Sequence, residues 1–151
     1  HKRYSEDKIL TKTMINNYTK SKILLPSKNK RYTKQHIILL VLIYYMKQIL
    51  SISDINALFT PLFKSASNGV LSPQYLDDIY SIFLEIKNSD IEDMGKMLSQ
   101  KLQSIEYMTK DFSEDSKDTA KILLTVLMLV TQASIQKRMA EKIIDQYFLK
   151  K

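Results

Sequence analysis

Asn16, Asn17 and Thr13 fall within two turns of one short segment, and their side chains are of the kinds that read base edges. An Asn amide pairs with adenine through two hydrogen bonds, and a Thr methyl meets the methyl of thymine. Lys12 and Lys20 bracket them, where an ammonium would hold a phosphate. Downstream, Lys28, Lys30, Arg31 and Tyr32 lie in a polar, turn-forming stretch, Pro26 to Thr33, that concentrates positive charge. Neutralising several phosphates would make binding fall steeply with salt. Tyr18 reads as a packing residue whose hydroxyl reaches a phosphate or the basic loop, and Tyr32 packs beneath that loop or touches the DNA backbone. Asn and Thr also decorate surface helices that bind nothing, so this pattern leaves a plain solvated face as the alternative.

The charge distribution points the same way. The chain has 151 residues and a formal charge of +7. Residues 1 to 36 hold ten basic side chains against Glu6 and Asp7, a net of +8, which leaves −1 for the remainder. A basic end on a near-neutral body suits a polyanionic partner.

Other chemistries find no foothold. There is no Cys, hence no disulfide or thiolate metal site, and a reducing cytoplasm is the expected compartment. His36, one turn after Thr33, reads as a structural residue, and no His/carboxylate cluster has ligand spacing. The acids Asp77, Asp78, Asp90, Glu92 and Asp93 sit near expected helix starts, where the helix dipole accounts for them. The two glycines, Gly69 and Gly95, are too far apart for a phosphate loop. The chain is therefore expected not to be an enzyme and to carry no cofactor and no metal.

The elements that would position these residues are helical. Few Gly and Pro, with many Leu, Ile, Lys and Met, favour a mostly α class. Met14, Ile15 and Tyr18 recur at helical spacing over 11–20, with Thr11 as N-cap. Leu24, Leu25 and Pro26 should end that segment, because the residue before a proline is pushed out of the helical region. Asn29 suits the tip of a small β-wing. A core helix, apolar on nearly all sides, should begin near Thr33 and run through Ile37 to Ile49, followed by a capping box at Ser51/Asp54 that opens a short helix. Lys64 to Pro73 is the strongest loop signal and the expected lobe boundary, giving lobes 1–63 and 73–151. Ser72 and Pro73 start a helix, Ser89/Glu92 a second one to Met108, and a last helix is expected from about Lys117 to Leu149. The apolar runs Ile37 to Met46 and Ile122 to Val130 are shorter than a bilayer span of about 20 residues and read as buried core helices, with no membrane partner expected. Met94, Met97, Met108, Met128 and Met139 read as core filler.

The order of helix, basic loop, apolar helix and capped helix over residues 11 to 60 resembles the DNA-binding domain of the MerR regulators. Leu10-Thr-Lys-Thr-Met-Ile-Asn-Asn-Tyr18 stands where that family has its recognition helix, and Lys30-Arg31-Tyr32 where it has its wing Arg and Tyr. Leu40, Ile43 and Leu50-Ser-Ile-Ser-Asp-Ile55 fall where the family has Leu, Ile and its helix-starting motif. Thr11 to Tyr18 followed by Lys30 to His36 is similar to an uncharacterised bacterial family of MerR-like proteins, a domain of unknown function. The family usually carries Arg where this chain has Asn16. The first helix of its motif should precede Thr11, yet His1 to Lys8 shows no apolar periodicity, so that helix lies upstream of His1 or the motif is degenerate. The resemblance implies a winged helix-turn-helix with a small β-wing and a helical C-terminal bundle. It further implies a transcriptional regulator that binds double-stranded DNA as a homodimer and leaves room for a small-molecule effector. A helical interaction module with a basic surface and no specific DNA site is the rival reading.

Overall fold

The structure, a computed structural model, describes residues 9–27, 29, 31–64 and 72–149. Among these are five helices: α1 (Lys12–Lys20), α2 (Lys34–Met46), α3 (Ile52–Lys64), α4 (Pro73–Met108) and α5 (Glu114–Tyr147). There is no strand among the described residues, so the expected β-wing, and with it the winged form of the helix-turn-helix, is overturned. Lys28 and Lys30, two of its expected cations, lie outside the described residues. The mostly α class stands.

Two compact units make up the chain: His1–Ser81 with Ala140–Lys151, and Ile82–Met139. The first is built on α2. Its Ile38, Leu39, Leu40 and Ile43 are buried with Tyr18, Ile23, Leu24, Ile55, Phe59 and Leu76, so one core gathers α1, α2, α3 and the start of α4. Each aliphatic side chain buried this way contributes about 1.5–3 kcal/mol over an exposed one.

Local chemistry sets most of the boundaries. Thr11 Oγ1 accepts from the Met14 N–H at 3.1 Å and caps α1. The Ser51 N–H donates to Asp54 Oδ2 and the Asp54 N–H to Ser51 Oγ, both at 3.1 Å, closing the expected capping box at the head of α3. Pro73 takes the first position of α4, where its missing N–H is harmless.

Other boundaries differ from expectation. α1 ends at Lys20, before Pro26 can act, through a left-handed residue: Lys22 has φ 59°. Its N–H donates to the Thr19 carbonyl (3.1 Å) and the Ile23 N–H to the Tyr18 carbonyl (3.1 Å), a Schellman closure with a lysine where glycine is usual. α3 is a full 13 residues and absorbs Pro61. α4 runs unbroken through Ser89 and Glu92, so the second capping box is not used.

The second unit is an antiparallel hairpin of α4 and α5. Glu106 meets Lys121 at 2.5 Å and Lys117 at 3.9 Å, and Gln132 Nε2 donates to Met97 Sδ at 3.8 Å. The run Ile122 to Val130, expected to be core, is largely exposed, as are Met94, Met108 and Met139. Met97 and Met128 are half-buried.

Candidate nucleic-acid interface

α1 is amphipathic with a sharp division. At 100° per residue, Met14, Ile15 and Tyr18 cluster on one side and pack on the core. Lys12, Thr13, Asn16, Asn17 and Lys20 occupy one contiguous sector of about 140° on the other, and all five are exposed. Burial of the apolar side thus fixes which way the polar side points. The sector offers two ammonium groups at its ends and two amides and a hydroxyl between them.

Tyr18 is not part of this face. It is 4% exposed, its ring belongs to the core, and burial pushes its hydroxyl above the usual tyrosine range. Its role is to seat α1 on α2. Its ring packs as expected, and at this burial the hydroxyl has little surface to offer a phosphate or the basic loop.

Arg31 and Tyr32 are exposed, Tyr32 at 49%. Next to Tyr32 is His36, a buried residue whose ring bonds both Thr33 and Pro26. The Thr33 N–H donates to His36 Nδ1 at 3.1 Å, and Thr33 Oγ1 lies 2.7 Å from the same nitrogen. An accepting Nδ1 leaves the ring proton on Nε2, which donates to the Pro26 carbonyl at 3.0 Å. Tyr32 stands edge-on to the same ring, centroids 5.8 Å apart. A single imidazole therefore joins Pro26 to Thr33 and stands against the Tyr32 ring.

Two further lysines qualify the field. Lys22, at the left-handed turn after α1, is exposed and adds a third cation two residues beyond Lys20. Charge alone flagged it in the sequence; its position follows from the Schellman turn, which no glycine announced. Lys34 is engaged elsewhere, its ammonium 2.6 Å from Asp77. No Asp or Glu occurs between Asp7 and Asp54, so α1, the loop and α2 carry no acidic side chain of their own.

An open recess of about 760 Å³ in the first unit is lined by Ser53, Asn56, Thr60, Pro61, Phe148 and Leu149 among others. A cavity of about 110 Å³ in the hairpin is lined by Met94, Met97, Leu98, Met128, Leu129 and Gln132 among others. Drug-sized ligands occupy about 300–1,000 Å³, so this is the size of a side chain. No group of His, Asp or Glu among the described residues is arranged to hold a metal.

The model of a family described as a domain of unknown function, DUF1836, matches residues 1–83. No curated protein and no solved structure matches the chain. The match ends two residues beyond Ser81, where α4 leaves the first unit, so the family domain contains α1, the basic loop, α2, α3 and the start of α4, while the hairpin lies outside it.

Proposed function

The chain belongs to the DUF1836 family, and from that premise we propose that its family domain binds duplex DNA through the exposed face of α1 and acts as a sequence-specific transcriptional regulator. The observation that carries this reading is the sorting of α1: every apolar residue from Met14 to Tyr18 is packed inward, and Lys12, Thr13, Asn16, Asn17 and Lys20 share one exposed sector. A helix of nine residues is about 13 Å long and, with side chains, about 10–12 Å across, which fits a major groove about 12 Å wide. In that setting Asn16 and Asn17 reach base edges, Thr13 meets a thymine methyl, and Lys12, Lys20 and Lys22 hold phosphates on either side. Arg31 and Tyr32, the latter against the His36 ring, contact the neighbouring backbone.

The test is selection of bound duplexes from a random pool at moderate salt. Enrichment of a defined sequence is expected, and Asn16→Ala or Asn17→Ala should relax preference at one position of it, by about 1–3 kcal/mol. Arg31→Ala should weaken binding to all sequences alike. Recovery of unenriched DNA, or of none, would remove the reading.

A further inference from the structure

α5 has a second face that is exposed among the described residues. Lys121, Thr125, Met128 and Gln132 form the stripe turned towards α4, fixed by the Lys121–Glu106 ion pair and the Gln132–Met97 contact. At 100° per residue, Leu123, Val126, Leu127 and Val130 fall on the opposite side, with Ile122 at its margin. Each is more than half exposed, Ile122 at 68% and Val130 at 61%. No charged residue occurs from Ile122 to Gln136. A contiguous, uncharged apolar face of this kind marks a contact surface.

We propose that this face of α5 is the contact between two copies of the chain, paired antiparallel about a two-fold axis near Leu127, so that two α4–α5 hairpins associate through their α5 helices. The ends of the helix favour that arrangement. Glu114 to Lys121 before the apolar run carry three acids against two lysines, a net of −1, and Lys137 to Asp145 after it carry three bases against two acids, a net of +1, so an antiparallel copy brings ends of opposite sign together. The uncharged centre places no like charges on the axis. Length and composition alone would also let α5 cross a membrane. The α4 segment beside the apolar run weighs against that: the Glu106–Lys121 and Met97–Gln132 contacts set Leu98 to Ile105 opposite it, and Lys101 within that stretch and Glu106 just after it are charges that hydrocarbon does not accommodate. The pairing does not depend on the DNA reading.

Sedimentation velocity of the full chain over the micromolar range tests it. The wild type should sediment at twice the monomer mass, and Val126→Glu with Val130→Glu should halve that mass while the helical circular dichroism is unchanged, since both positions are already exposed. Mixing a Val126→Glu chain with a Val126→Lys chain should restore the dimer. A monomeric wild type, or a double glutamate variant that stays dimeric, would overturn the proposal. So would wild-type flotation with phosphatidylcholine vesicles that the glutamates abolish, which would make lipid the occupant.

Discussion

α1 and the middle of α5 are both helices with one side packed and one side free, and they leave opposite chemistries free. α1 turns Met14, Ile15 and Tyr18 inward and shows lysines, amides and a hydroxyl. α5 turns Lys121, Thr125 and Gln132 towards α4 and shows Leu123, Val126, Leu127 and Val130. The first is the ordinary bargain of a surface helix, with water or a polyanion as its outer neighbour. The second leaves an apolar face of the kind that marks a contact surface. The difference separates a unit whose core is complete within one chain from a hairpin whose core is half made.

That contrast can be broken or sharpened by substitution. Ile43→Ala, at a fully buried site on α2, should lower the stability of the first unit by about 2–5 kcal/mol in urea denaturation. Ile122→Ala, at an exposed site on α5, should stay within about 0.5 kcal/mol in the dissociated chain. Comparable losses at both positions would erase the contrast. Next in size, His36→Ala strands the Thr33 N–H and the Pro26 carbonyl and should reduce stability by about 1–3 kcal/mol. It should also speed amide exchange in the Pro26 to Thr33 loop, which a purely core defect would not do selectively. Lys22→Gly should stabilise the first unit by about 1 kcal/mol, because a lysine at positive φ carries a penalty that glycine escapes. A loss of stability there would mean that the lysine side chain, and not the backbone, holds the turn.

The smallest effect is at Glu106. The hydrogen bond from Lys121, and then the charges of Lys121 and Lys117, hold its carboxyl below the usual range. A lowered folded-state value stabilises the hairpin above the ordinary carboxylate range, and that contribution is lost as the pH falls through the folded value. NMR titration of the Glu106 carboxyl should therefore show a depressed midpoint in the wild type, and Lys121→Met should raise it.

Much of the helical frame was legible. Thr11, the Ser51/Asp54 box and Pro73 mark starts that the structure keeps, because capping is local and side chains within three residues decide it. The exposed sector of α1 was equally readable, since a 3.6-residue period fixes which positions share a side. The wing was not. A polar stretch with Asn29 at positive φ suits a hairpin tip, but the loop is closed by an imidazole ten residues from Pro26, a contact that no local pattern reveals. The unbroken α4 was missed because Ser89 and Glu92 are tolerable inside a helix, and nothing around them stops propagation. The exposure of Ile122 to Val130 escaped for a different reason: an apolar run reads the same whether its cover comes from its own chain or from another.

The central claim is that the α1 face meets DNA, and the most direct measurement is the salt dependence of duplex binding by fluorescence anisotropy, wild type against Lys12→Gln with Lys20→Gln. If both ammonium groups hold phosphates, the wild-type affinity falls log-linearly with salt, and the variant binds more weakly with a slope shallower by about 1.8. Identical slopes and affinities in the two proteins would contradict the account and leave α1 a solvated surface.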